Sequence, residues 1–170
     1  PIYRGSVLPK GNFGFSNDFT WKGINLGFLL TARVGGIVMS QTQAILDYYG
    51  VSQATVDARL AGGIPVNTGK ISAEQYYSVV GGDNPIWSEY IYSGTNVRLQ
   101  EAHISYTLPR HILGGKNLTL GVTANNLFMI YCKAPFDPES TGSTGTFYQG
   151  FDYFMQPSLR SLGFNVKLQF

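Results

Sequence analysis

His103 and His111 are the two histidines of this 170-residue chain, and general acid–base catalysis or a transition-metal site would have to start from them. His103 lies on the polar side of an alternating stretch, and His111 sits in a turn beside Pro109-Arg110. Neither has a serine or cysteine nucleophile motif or a metal-ligand spacing around it. No catalytic residue, metal or cofactor is expected, and the chain does not read as an enzyme. Cys132 is the single cysteine, which excludes an internal disulfide and a thiolate cluster and suits a small buried loop residue. Asp137, Glu139 and Asp152 are acidic loop residues at spacings that match no calcium loop, and Asp137-Pro138 reads as a capped turn. Asn117-Leu118-Thr119 fits a glycosylation pattern but opens a predicted strand. What remains is binding. Tyr48, Tyr49, Tyr76, Tyr77, Trp87, Tyr90 and Tyr92 crowd one region. Of these, Tyr76, Tyr77, Trp87 and Tyr90 are candidates for stacking on sugars or holding a partner; packing among short helices is the alternative.

The elements that carry these residues show first at the end of the chain. Pro157 to Phe170 reads PSLRSLGFNVKLQF, with Leu162, Phe164, Val166, Leu168 and Phe170 on one parity and Ser161, Gly163, Asn165, Lys167 and Gln169 on the other. Strict alternation predicts a strand with one apolar and one polar face. At ~3.3 Å per residue the strand reaches roughly 40 Å. That exceeds the soluble average of about 5–6 residues, and a bilayer needs about 9–11. The same alternation predicts strands near 11–21, 24–36, 96–108 and 117–127, besides 158–170. Lys22-Gly23 and Gly114-Gly115 mark turns. Between them, helix signals replace the period of two. Ser40-Gln41-Thr42-Gln43 is a capping box closed by Gly50, Ser52 opens a helix stopped at Gly62-Gly63, and Ser72 opens a third stopped at Gly81-Gly82.

Charged residues make up 13% of the chain and aromatics 14%, with 21 glycines. Mean hydropathy is −0.02. There is no apolar run of about 18 residues, so a transmembrane helix is excluded. This composition suits a membrane β-barrel, whose strands alternate lipid-facing and lumen-facing residues. The net charge is +2 with scattered basic residues, which speaks against nucleic acid as a partner. The connections run short, very long, short, long, so in an up-and-down sheet the long loops, near 37–95 and 128–157, share one end. Outer-membrane barrels have short periplasmic turns and long extracellular loops. Trp21 and Tyr106 precede the short turns and are expected in a periplasmic aromatic girdle. Asp18, Arg33, Glu101, His103 and Lys167 share the polar parity and are expected to line a lumen. Arg98 falls on the apolar parity, where it would snorkel outward to the headgroups. Five strands are fewer than the 8 or so of the smallest membrane barrels, and an open sheet leaves edge groups unpaired in lipid. The expectation is therefore an all-β, antiparallel segment forming part of a larger transmembrane barrel. The start at Pro1, without Met or a leader, fits a mature or internal fragment.

Two stretches carry a family resemblance. Asn96-Val97-Arg98-Leu99-Gln100-Glu101-Ala102 through Ser105-Tyr106-Thr107-Leu108-Pro109 resembles a strand near the end of SusC/RagA-type TonB-dependent transporters. Asn125-Asn126-Leu127-Phe128, followed by Phe136-Asp137-Pro138-Glu139, resembles the "NLF…DPE" segment of that family, and Gly150-Phe151-Asp152-Tyr153 and the Phe-terminated last strand also match. The opening hairpin, with Gly14-Phe15-Ser16-Asn17, is similar too. The resemblance implies the last five strands of a 22-stranded outer-membrane barrel of Bacteroidetes. Its plug and TonB box would lie upstream, TonB would energise it, and a SusD-like surface lipoprotein would cap it. Its cargo would be a glycan, oligosaccharide or peptide. Phe170 would be the barrel-assembly signal at the closing seam. Two other readings stay open from the residues alone: a barrel anchor for a surface adhesin, and a soluble carbohydrate-binding β-domain.

Overall fold

The computed structural model describes residues 2–67, 69–143, 145 and 148–169. In chain order its strands and helices are β1 (Gly11–Trp21), β2 (Ile24–Val34), β3 (Ile37–Ser40), α1 (Gln41–Tyr48), α2 (Gln53–Leu60), β4 (Ile64–Val66), β5 (Gly69–Ile71), α3 (Ala73–Val80), β6 (Ile91–Ser93), β7 (Asn96–Thr107), β8 (Asn117–Cys132), β9 (Phe151–Asp152) and β10 (Ser161–Gln169). They form two compact units. One comprises Leu8–Gly35, Gly94–Asp137 and the stretch from Pro157; the other comprises Gly36–Ser93 and Pro138–Gln156 with the leading residues up to Val7.

The first unit is a five-stranded sheet in the order β1-β2-β7-β8-β10, antiparallel throughout. Residues 22–23 and 108–116 make the connections at one end; residues 35–95 and 133–160 make those at the other. Alternation sorts the side chains. Phe19, Leu26, Ile104, Val122 and Phe164 lie in one cross-strand row; Thr20, Asn25, Ser105, Gly121 and Asn165 lie in the next, on the opposite face. The apolar face is bare among the described residues: Phe13 is 63% exposed, Trp21 67% and Phe164 70%. Phe15 and Phe28 meet on it with ring centroids 6.0 Å apart. At the sheet's ends, Lys22 Nζ sits 4.9 Å over the Trp21 ring and the Arg160 guanidinium 6.0 Å over Phe128. This is how long basic side chains sit where apolar surface meets water.

On the polar face, Asp18, Gly27, His103, Thr123 and Gly163 form one row. Gly27 is what lets the row close. A Cβ there would overlap both Asp18 Oδ1 and the His103 ring. Without one, His103 Nε2 reaches Asp18 Oδ1 at 3.1 Å across the intervening strand.

Arg98 departs from its expected face. Leu29 pairs with Glu101, but Leu30 pairs with Leu99, so Gln100 is an extra residue in β7. This bulge flips the parity of everything before it. Arg98 thus pairs with Thr31 on the polar face and is 4% exposed. There its Nη2 donates to Asp137 Oδ1 at 2.7 Å, while Asp137 Oδ2 accepts from the Ser158 backbone N–H at 3.2 Å. Asp137 is therefore an ion-pair partner as well as a turn residue. Strand β8 continues to Cys132, past the expected lapse of alternation near 127. The pattern is disguised there by two register shifts against β7 and by Asn126 at φ 52°. Strand β10 begins at Ser161; just before it, the Leu159 carbonyl accepts from the Asn126 side chain at 3.1 Å.

In the second unit, β6, β3 and β9 form a small sheet, and β4 and β5 a hairpin. The Ser40, Ser52 and Ser72 hydroxyls cap α1, α2 and α3, accepting from Gln43, Thr55 and Gln75 N–H groups at 3.1, 3.2 and 3.2 Å. Ala44, Val80 and Tyr90 form the core, with Tyr76 packed against it. At the end of α3, Gly81 lies so close to α1 that a Cβ would come within 2.5 Å of the Ala44 carbonyl oxygen.

Two outcomes follow from the sheet. Arg98→Met leaves a buried carboxylate without its cation and costs about 3–5 kcal/mol, and Arg98→Met with Asp137→Leu regains most of it. The heat-induced loss of the folded protein's band on a semi-native gel measures both. Gly27→Val, forced between two neighbouring side chains, costs about 1–3 kcal/mol in the same assay, whereas Gly69→Val, where a Cβ meets nothing within 4 Å, leaves the midpoint unmoved.

Candidate functional site

The sheet register puts Asp18, Arg33, Glu101, His103 and Lys167 on one face. Of these, Asp18 and His103 are in contact. Asn25, not singled out by the sequence, completes their cluster. Its amide Nδ2 donates to Thr20 Oγ1 at 3.0 Å, which turns Oδ1 toward His103 Nε2, also at 3.0 Å. With acceptors at Asp18 and Asn25, Nε2 carries the proton and donates to both. Glu101 sits in the row of Ser16, Leu29, Asn125 and Ser161, Arg33 faces Asn12 and Asn96, and Lys167 faces Thr119. Among the described residues no group of three or more His, Cys, Asp or Glu could hold a metal ion. Trp21, Ile24, Tyr106, Leu120 and Val166 share one row at the end with the short connections. Phe170 lies outside the described residues.

The second unit divides its aromatic residues between two jobs. Tyr90 is 2% exposed and donates its hydroxyl to Asp47 Oδ2 at 3.1 Å, so it is core and not contact surface. Tyr76 packs on that core, and Trp87 stacks edge-on against Phe151 at 5.8 Å. Of the four aromatics named from the sequence, Tyr77 alone lines the cavity of 520 Å³ beside α1, α2 and α3. Asp47, Tyr48, Tyr49, Arg59 and Glu74 line it too. Burial, and then the Asp47 charge, push the Tyr77 phenol above its ordinary range, and the same two causes act in that order on Tyr90 and Tyr92. These hydroxyls therefore stay protonated and able to donate. Asp47 is 4% exposed and was missed by sequence reading; its signal is the helical offset from Ala44, three residues earlier on the buried side of α1. Asp152 is buried as well, and its Oδ2 accepts from the Ser40 hydroxyl at 2.7 Å.

No family model matches the chain. TonB-dependent receptors P3 and P26 of Formosa agariphila are 28% identical over 173 residues and 29% identical over 176. The matches cover 96% and 97% of this chain but only 17% and 18% of theirs, so the chain spans under a fifth of the curated relatives' length. Solved structures of the RagAB peptide transporter, and of the RagAB peptide importer in its open-open state, superpose with TM-scores of 0.73 and 0.69 at 19% identity. Each covers 99% of this chain and 18% of the other. The bare apolar face, the polar face and the sorted connections are those of a barrel wall. In sequence and in fold, the chain is like a barrel segment of a TonB-dependent receptor, and its place is the bacterial outer membrane.

Proposed function

We propose that this chain is part of the wall and outer loops of a SusC/RagA-like, TonB-dependent importer that takes up a nutrient, a glycan, oligosaccharide or peptide. The observation that carries the reading is the sheet itself. All five charged or titratable residues named for the lumen lie on one face, and the other face is apolar and bare. In this reading the five strands are the last of a large barrel, residues 37–95 and 128–157 face outside, and Trp21 and Tyr106 sit at the periplasmic interface. A SusD-like lipoprotein caps the outer loops, and TonB and the plug engage through other parts of the whole protein. Passage, not bond chemistry, is the work: the loops and partner bind, and plug movement opens the path.

Two measurements test this. Phe164→Lys puts a charge on the lipid face in mid-strand and costs about 2–4 kcal/mol, whereas Asn165→Lys, one residue on, faces the lumen and is tolerated. Outer-membrane fractions should hold little folded receptor for the first and normal amounts for the second; equal amounts would contradict the facing. Uptake of the nutrient by cells carrying the whole receptor should stop when TonB is deleted. Uptake that persists without TonB sinks the importer reading.

A further inference from the structure

We infer that the cavity beside α1, α2 and α3 is a binding site for a neutral sugar unit. This rests on the reading of residues 37–95 as an outward-facing loop. Its volume of 520 Å³ falls within the range of about 300–1,000 Å³ typical of small-molecule sites. Three tyrosines, Tyr48, Tyr49 and Tyr77, contribute to its wall. Tyr48 and Tyr49 meet edge to face at 5.1 Å and are 43% and 71% exposed, so their rings offer apolar faces without being needed by the core. The C–H face of a pyranose is apolar enough to lie on such a ring, while its rim of hydroxyls needs acceptors and donors.

The cavity supplies both. Glu74 is exposed on α3, and Asp47 lies buried at the end of α1 with Oδ1 lacking a hydrogen-bond partner among the described residues. These carboxylates accept only. Arg59 Nη1 donates to the Gly50 carbonyl at 3.0 Å, and the remaining guanidinium N–H groups are donors beside the same cavity. The mixture of charges disfavours a ligand of one charge sign. An anion would meet Asp47 and Glu74, and an ammonium group would meet Arg59. A neutral polyol, with donors and acceptors on every hydroxyl, uses all of them. Tyr77, held protonated by burial and by Asp47, adds a further donor.

The test is a glycan array of neutral, uronic-acid and amino-sugar oligosaccharides probed with the whole receptor in detergent. Neutral glycans should bind. Tyr49→Ala and Glu74→Gln, both at exposed positions, should each weaken that binding about tenfold, the scale of one lost aromatic or charged contact. Tyr153→Ala, an exposed tyrosine outside the cavity, should not. Binding of only the acidic or amino glycans, binding that neither cavity variant changes, or no binding at all would overturn the sugar site. TonB-dependent uptake that persists through such a result leaves the importer reading standing. Loss of TonB dependence overturns that reading without altering the array.

Discussion

The five-stranded sheet must keep its backbone groups in the ladder while sorting side chains to two unlike faces, and these two demands are one constraint. A slip of a single residue exchanges the faces. In a bilayer the exchange would put Asp18, Glu101 and Lys167 into hydrocarbon, while an unmade ladder bond would leave a polar group with no water to turn to. Everything else in the sheet follows from holding that register. The unbroken match of β1 to β2 from Gly11 to Trp21 gives eleven consecutive pairs without a bulge. The small residues of the polar face, Gly27, Gly121 and Gly163, all sit where a neighbouring strand's side chain crosses over them.

Where the register does slip, the slip has a use. The extra residue at Gln100 costs a place in the ladder but turns Arg98 from the apolar to the polar side. A guanidinium on the apolar side would have to reach for headgroups. On the polar side it finds Asp137, and both side chains are buried, at 5% and 8% exposure. The pair joins a strand to the segment that follows β8, and Ser158 joins the same carboxylate from the segment that precedes β10. Three stretches far apart in sequence are held at one point.

This explains what could be read from the residues alone. Strands β1 and β2, the turn at Lys22-Gly23, and the serine caps of α1, α2 and α3 are local: period, turn chemistry and cap geometry all act within a few residues. The face of Arg98 is not local, because a bulge is a relation between two strands and leaves no mark in the alternation of one. For the same reason Phe128 to Tyr131 looks irregular in sequence yet is strand; its irregularity is register shift against β7. The Asp18–His103–Asn25 cluster was half legible. Shared parity put Asp18 and His103 on one face, but only pairing across Gly27 makes them neighbours.

The aromatic crowd between β2 and β7 was legible as a crowd and not as individuals, and helix geometry shows why. In α3, Tyr76 and Val80 fall on the core side four residues apart, whereas Tyr77, one position on from Tyr76, rotates by about 100° toward the cavity that Ala73 and Glu74 also line. Adjacent tyrosines thus receive opposite duties, and composition cannot tell them apart. In α1 the same rotation buries Ala44 and Asp47 together. A carboxylate there is costly unless its oxygens are bonded. Tyr90 serves one oxygen, and a Leu in place of Asp47 would remove the charge but leave the buried Tyr90 hydroxyl without its acceptor. The apolar face of the sheet has no freedom to carry such a group, since a charge there would work against membrane insertion. The unit built from the loops is free of that demand, so its buried polar groups are shaped by what they meet rather than by what surrounds the barrel.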